Sequence, residues 1–475
     1  MSDYEVLIIG AGPGGYSAAI RAAQLGKKTA VIEKDRIGGV CLNRGCIPTK
    51  VFSEAAHLRE NIALSESWGL QVKWQGFSFD ALNQRKNETV AALTSGVAEL
   101  LEAHQVEIIE GNASFVNNKT LQVNNSQLTA DHIIIATGAT PSYLPIIDDL
   151  EGESKSLVYD TNAVFEMDSL PDRLLIVGGG VIGIEFAHIF NSLGSEVTLI
   201  EILPRLLPFE DETIAQEVHG LLENNGVEIY TGTTIEAING QDSNQVLLNL
   251  YSEQDGRFNI YCDTVLKAAG RTPNISGFGL KNTDIDFESQ GIHVDQNTLE
   301  TSVENVYAIG DVIKGSTQLA HAAYYQGEKV AELLNGEGCN TDSMNHNGID
   351  DNIVPRAIFT SPEIGAVGLT EKEAKEQNLE YKVSQFPLYA NGRAATQGKT
   401  LGFVKMITDS KYNEILGVHI LGNHASELIN EAALAIKLEC TAEELIDTIH
   451  VHPSIGESYR EAAMGIFGRS IHYMA

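Results

Sequence analysis

The chain is 475 residues long, 43% apolar and 20% charged, with 64 acidic against 32 basic residues and a formal net charge of −32. That length exceeds what one hydrophobic core fills and implies roughly two to four domains, and the composition excludes a disordered or fibrous chain. So acidic a surface repels phosphate backbones and anionic lipid, which sets nucleic acid and membrane aside as partners.

The chain opens "YEVLIIGAGPGGYSAAIRAAQLGKKTAVIEKD". No basic region or cleavage site precedes the first apolar run, so no secretory leader is expected. Val6–Ile9 reads as a short strand leading into Gly10-x-Gly12-x-x-Gly15, then a helical pattern, then "TAVIE" ending in Glu33. Gly10 allows the tight turn, Gly12 lets the backbone approach a pyrophosphate, and Gly15 lets helix and strand pack closely. The helix N-terminus supplies free N–H groups for that pyrophosphate, and Glu33 would accept hydrogen bonds from a ribose diol.

"GGVCLNRGCIPTK" (38–50) follows, holding Cys41 and Cys46, two of five cysteines. An odd number of thiols in so long a chain is no secreted disulfide framework, and a reducing, cytoplasmic location is expected. A zinc clip normally needs a second ligand pair, yet Cys262, Cys339 and Cys440 are scattered singly. A disulfide needs Cα atoms about 4.4–6.8 Å apart. In a regular helix residues five apart differ by about 140° and about 7.5 Å in rise, so bridging requires a distorted first turn. Gly38, Gly39 and Gly45 supply that freedom, and Pro48 suits a helix beginning nearby. A thiolate at a helix start has a depressed pKa, and a redox-active pair fits this pattern.

"DRLLIVGGGVIGIEFAHIFNSLGSEVTLIE" repeats the opening arrangement: strand, Gly178-x-Gly180-x-x-Gly183, helix, strand, Glu201. Third glycine and acid stand 18 positions apart in both copies. A Gly-rich turn between ordinary strands is the plainer reading of one such motif; two in register imply two Rossmann-like dinucleotide-binding folds. A carboxylate at Glu201 suits the free 2′-hydroxyl of NAD and would repel the 2′-phosphate of NADP, although Arg205 follows closely. Glu185 within this apolar stretch argues against a membrane span.

Farther on, "NGEGCNTDSMNHNGIDDN" (335–352) reads as a linker or loop, and mixed strand-like and helical runs follow it. "HVHPSIGE" (450–457) offers His450, His452 and Glu457. Ser454-x-x-Glu457 is also the spacing of a capping box, and Glu457 could serve a histidine and a helix start together. His450 is read as structural.

Taken with "ATGA" (136–139), "AAGRTPN" (268–274), "VYAIGDV" (306–312) and "LAHAA" (319–323), these motifs cover essentially the whole chain. In order and spacing they resemble the flavin-dependent pyridine nucleotide–disulfide oxidoreductases, and within them the branch that oxidises dihydrolipoyl groups with NAD⁺. The resemblance implies an α/β chain: an FAD fold (1–147), an inserted NAD fold (148–275), a segment completing the FAD site (276–346) and a C-terminal α+β dimerisation domain (347–475). It implies FAD along Gly10, Gly12, Gly15, Glu33 and Gly138, with Asp311 on its ribityl chain, Ala320 near its edge and Lys50 near N5, paired with Glu185. It places NAD on Gly178, Gly180, Gly183, Glu201 and Gly270. Cys46 would face the flavin and Cys41 would be the sulfur that substrate attacks. His452, oriented by Glu457, would be the base that makes the substrate thiolate, lent by each subunit of a homodimer to the other. The partners implied are dihydrolipoyl groups on acyltransferase or glycine-cleavage carrier proteins. A glutathione or mercuric reductase type is disfavoured by Val181, Glu201 and a tail, "GIFGRSIHYMA", without cysteines. A flavoprotein scaffold with an idle disulfide is disfavoured by the retention of Cys41, Cys46, His452 and Glu457 together.

Overall fold

A computed structural model describes residues 2–151, 153–242, 245–336 and 353–474. Most of the 335–352 stretch read as a linker, with Cys339, lies outside the described residues.

The first half begins with β1 (Tyr4–Ile9), α1 (Pro13–Gln24), β2 (Thr29–Glu33), α2 (Gly39–Arg44), α3 (Cys46–Leu64) and α4 (Phe79–Ala103). β3 (Glu107–Glu110), β4 (Ala113–Asn117), β5 (Thr120–Val123) and β6 (Ser126–Ile135) follow. Val6, Leu7 and Ile8 are fully buried on both faces of their strand, as the unbroken apolar run requires of a central parallel strand. The sheet order is β3-β2-β1-β6, with β6 forked. Its start pairs antiparallel with β5, and its end runs parallel to β1 on one side and to β19 (Val306–Ala308) on the other. Residues far along the chain therefore return to complete the first sheet.

β7 (Ala139–Pro141) then leaves this unit, and α5 (Pro145–Asp148) and β8 (Val158–Asp160) lead into the second. There β9 (Arg173–Val177), α6 (Val181–Leu193), β10 (Glu196–Ile200), α7 (Glu212–Asn224), β11 (Glu228–Tyr230) and β15 (Thr264–Lys267) build a parallel sheet ordered β11-β10-β9-β15-β8. A meander of β12 (Thr233–Asp242), β13 (Gln245–Ser252) and β14 (Gly256–Cys262) stands where β4 and β5 stand in the first unit. The chain returns through β16 (Arg271–Pro273), which pairs antiparallel with β7. One two-stranded ribbon thus carries both crossings between the units. A short hairpin, β17 (Phe287–Glu288) and β18 (Gly291–Ile292), and α8 (Ala320–Leu334) complete this half, with α8 packed along α1.

The last unit is antiparallel, ordered β20-β21-β24-β23-β22: β20 (Arg356–Ile358), β21 (Glu363–Gly368), β22 (Tyr381–Pro387), β23 (Phe403–Asp409) and β24 (Ile415–Gly422). Its helices are α9 (Glu371–Glu376), α10 (Gly392–Gln397), α11 (Ala425–Lys437), α12 (Ala442–Asp447) and α13 (Glu457–Ile466). Buried Lys405 on β23 reaches into the second unit, 2.9 Å from both oxygens of Asp211, the residue that caps α7. Removing Lys405 strands the buried Asp211 carboxylate, at a cost of about 3–5 kcal/mol, whereas Lys405 itself keeps Glu371 at 2.9 Å if Asp211 is lost. Among the described residues no helix is long and apolar enough to cross a membrane.

Candidate active site

The thiol pair sits on two helices rather than one. Cys41 lies in α2, Cys46 is the first residue of α3, and Gly45 between them (φ −134°, ψ −110°) breaks the helical path. The distortion that the five-residue spacing demanded is this break. Gly39 is held at φ +56° with its Cα against the first glycine loop: a Cβ there would stand 2.7 Å from the Cα of Gly12. The start of α2 is thereby pinned to the start of α1, aided by the Gly38 N–H donating to the Ala11 carbonyl at 2.8 Å.

Both sulfurs are free thiols here, adjacent and unequal. The hydrogen bond from Cys41 draws the Cys46 thiol down to about 7 against the opposing effect of burial, and the nearby charge of Lys50 adds to the lowering. The same hydrogen bond, with burial, pushes the Cys41 thiol far up. Of the two, Cys46 is the sulfur more readily ionised.

Lys50, one turn beyond Cys46, bonds both oxygens of Glu185 on α6 at 2.9 Å. Glu185 is buried and also accepts the Phe359 N–H at 2.9 Å, while the Phe359 ring lies 4.2 Å below the ammonium. Each of the three units therefore contributes one part of this contact. Phe359 carries no legible signal, being one apolar residue in a short strand-like run. The charges of Arg271 and Asp311 act on each other nearby: burial raises the Asp311 carboxyl, and the guanidinium opposes that rise. The "GR" step and "GD" step are legible separately, but nothing in the sequence pairs them.

The two glycine loops repeat each other in detail. A Cβ on Gly15 would sit 1.9 Å from the Gly10 carbonyl oxygen, and one on Gly183 would sit 1.9 Å from that of Gly178. Glycine at those third positions is obligatory. Glu33 accepts the Ala11 N–H at 2.8 Å and the Asp35 N–H at 2.9 Å; Glu201 accepts the Gly179 N–H at 2.6 Å and the Leu203 N–H at 2.8 Å. Each strand-end carboxylate is thus fastened to its loop. Helices α1 and α6 start directly after Gly12 and Gly180, and no side chain caps either. Their first-turn N–H groups suit an anionic ligand, and a Cβ at Gly180 would meet nothing within 4 Å, so both cradles fit a dinucleotide pyrophosphate. Gly138 and Gly270 lie beside the crossing ribbon, at φ +68° and φ +86°, where Gly138 accepts the Asn274 N–H and Gly270 the Ser142 N–H. Ala320 is the first residue of α8.

At the far end of the chain, His452 Nδ1 meets Glu457 Oε1 at 2.8 Å, and Glu457 Oε2 accepts the Ser454 N–H at 2.8 Å. These contacts hold the Glu457 carboxyl below its usual range against the effect of burial. Glu457 does serve both histidine and backbone, but α13 begins at Glu457 itself, so Ser454 is not its cap. The His452 side chain is 80% exposed. The largest charge effects on the thiols come from Lys50, Glu185 and Asp311, Arg271 also interacts with Cys46, and none of these belongs to the C-terminal segment. His450 is held by Glu431 at 2.8 Å and the Thr448 carbonyl at 3.1 Å, the setting of a packed structural group.

Residues 4–327 match the family model described as pyridine nucleotide-disulphide oxidoreductase, and residues 354–463 match that family's dimerisation domain. The chain belongs to this family of oxidoreductases. Dihydrolipoyl dehydrogenase of Bacillus subtilis is 38% identical over 486 residues, covering 99% of this chain and 100% of its own. Among solved structures, LpdA of Mycobacterium tuberculosis is similar at TM-score 0.87 and 28% identity, covering 97% of this chain and 99% of that one. The HOCl-induced flavoprotein disulfide reductase RclA of Escherichia coli is similar at 0.84 and 32%, with the same coverage. The α/β fold with its C-terminal dimerisation unit is that of the family, its cofactors are FAD and NAD(H), and the dimerisation unit marks a homodimer.

Proposed function

We propose that this oxidoreductase transfers two electrons from a dihydrolipoyl group to NAD⁺, giving a lipoyl group, NADH and a proton. The observation that carries the reading is the close thiol pair at the junction of α2 and α3, with Lys50, fastened to Glu185, lowering the Cys46 thiol by its charge. In thiol–disulfide exchange the sulfur that leaves most readily is the one whose thiolate is best stabilised. Attack on Cys41 with departure of Cys46 follows from that rule.

His452 of a second copy takes the proton of one substrate thiol; the resulting thiolate bonds to Cys41, and the Cys41–Cys46 bond breaks with its electron pair on Cys46. The second substrate sulfur, deprotonated in turn, closes the lipoyl ring and displaces Cys41. Glu457 holds the His452 ring in one orientation and favours its charged form. Lys50 steadies the Cys46 thiolate, and Glu185 with Phe359 keeps Lys50 in place. Bound FAD would supply the two-electron relay between Cys46 and NAD⁺. Gly10, Gly12, Gly15, Glu33, Gly138, Lys50, Asp311 and Ala320 would hold the FAD, and Gly178, Gly180, Gly183, Glu201 and Gly270 the NAD. The four segments 1–147, 148–275, 276–346 and 347–475 are the proposed domains, supported by the way the sheets divide.

The carriers of the dihydrolipoyl group are acyltransferase or glycine-cleavage proteins, in the cytoplasm. The curated relatives, named dihydrolipoyl dehydrogenase across the whole chain length, support the dihydrolipoyl group as electron donor. The test is NAD⁺ reduction by the holoenzyme with dihydrolipoamide or reduced glutathione as the electron donor. Rapid turnover with dihydrolipoamide alone is expected; a preference for glutathione overturns the proposal.

A further inference from the structure

Arg205 is the only basic residue between Glu201 and Glu212, and by charge alone it could draw in a phosphate. The structure spends it elsewhere. Its Nη1 donates to the Leu207 carbonyl at 3.0 Å, and its Nη2 donates to the carbonyls of Pro208 at 2.7 Å and Glu210 at 3.1 Å. The segment between β10 and α7 is thus folded around the guanidinium. That fold holds Leu207 at φ +47°, a left-handed conformation that a bulky side chain rarely adopts.

The folded segment is pressed onto the second glycine loop. The Leu207 N–H donates to the Gly179 carbonyl at 2.9 Å, and Leu206 lies so close that a Cβ on Gly179 would stand 2.5 Å from one of its methyl carbons. Both leucines are buried. At the start of the segment the Leu203 N–H donates to Glu201 at 2.8 Å; at its end Glu210 pairs with Arg356 at 3.1 Å and Asp211 with Lys405 at 2.9 Å. Gly179 is therefore held at both its N–H, by Glu201, and its carbonyl, by Leu207. Nη2 belongs to both of the paired donor edges that a guanidinium offers a phosphate. With both of its hydrogens on carbonyls, neither edge is left for one.

We propose that Arg205 is a positioning residue of the NAD site: it staples the 202–210 segment onto the Gly178–Gly180 turn, and by being spent there it withholds its donors from a 2′-phosphate. This rests on the reading given above, in which Glu201 meets the ribose. A 2′-phosphate at that ribose meets the Glu201 charge without the paired donors that Arg205 would otherwise supply. Selection of NAD over NADP then comes from two residues, one turned toward the ligand and one kept from it.

The test measures Kd for NAD⁺ and NADP⁺ on the oxidised, FAD-loaded enzyme by calorimetry, with KM and kcat for NAD⁺ alongside. Arg205→Met and Arg205→Lys should each weaken NAD⁺ by about tenfold and raise its KM, while kcat at saturation and the Kd for FAD hold. Lysine does not rescue, since a single ammonium cannot fork across three carbonyls. Arg205→Lys carries the affinity test alone if Arg205→Met does not fold. Glu201→Gln removes the repelling charge and keeps an acceptor for the segment. The ratio of the NADP⁺ Kd to the NAD⁺ Kd should agree within about threefold between Glu201→Gln and Glu201→Gln/Arg205→Met, a distant charge being screened. A larger rise of that ratio on loss of Arg205 shows the guanidinium on the phosphate and overturns the proposal. So does an NAD⁺ affinity left intact in the Arg205 variants, or restored by lysine. Failure of the Glu201 reading itself would look different: Glu201→Ala would then bind NAD⁺ as wild type does.

Discussion

Replacing Lys50 by Met tests the origin of the acidic thiol. The substitution keeps an unbranched side chain and removes the ammonium beside Cys46. Wild-type Cys46, at about 7, is close to half thiolate at neutral pH. A rise of one pH unit in its midpoint, about 1.4 kcal/mol, leaves about a tenth as thiolate. The hydrogen bond from Cys41 is the larger cause of the lowering and survives the change, so the midpoint should move about one unit and stop short of the ordinary 9.0. Glu185, with a side chain only 6% exposed, is left with the Phe359 N–H alone, and a stranded buried carboxylate costs about 3–5 kcal/mol. A companion Lys50→Met/Glu185→Gln variant relieves that penalty without restoring the positive charge. The assay is the pH dependence of Cys46 alkylation by iodoacetamide in the reduced holoenzyme, with labelled peptides resolved by mass. Raised midpoints in both variants, with Tm recovered in the double, support the argument. A midpoint unmoved in both refutes it, and the low value would then belong to the Cys41 contact and the helix start alone.

Glu201→Ala removes the acceptor of the Gly179 and Leu203 N–H groups. A loss of about 1–3 kcal/mol weakens NADH by roughly five- to 150-fold while the Kd for FAD holds, and titration of both ligands checks it. His452→Gln should slow dihydrolipoamide oxidation by roughly 100-fold or more and spare NADH oxidation by ferricyanide; equal slowing of both rejects the base role. His450, raised chiefly by its hydrogen bond to Glu431, stabilises the fold fully below its unfolded value near 6.5 and loses that contribution as pH rises through the higher folded value. The Tm advantage of wild type over His450→Gln should therefore be largest in mild acid and fade in alkali. A gap that widens with pH contradicts the sign.

Local chemistry made much of this site legible in the sequence. A glycine whose Cβ would fall 1.9 Å from a neighbouring carbonyl oxygen, and a carboxylate that must end the next strand, recur at fixed spacing because they act within one βαβ unit. The thiol pair announces itself the same way, since a five-residue separation and flanking glycines belong to one short segment. The partners of those motifs are less visible. The charge interaction of Arg271 with Asp311, and Phe359 beneath Lys50, link residues 40 to about 300 positions apart, and no periodicity signals either. Glu457 is an instructive middle case. The Ser454-x-x-Glu457 spacing correctly signals a bond back to the Ser454 N–H, yet the helix starts later than a capping box requires.

The sequence alone determined the two nucleotide folds, the reactive thiols and the family, because each rests on contacts within about thirty residues of chain. Tertiary structure alone decided what holds the positive charge near the thiols. That depends on Lys50 being clamped between Glu185 of a second unit and Phe359 of a third. Electrostatic energy follows distance through space, and only the folded chain sets those distances.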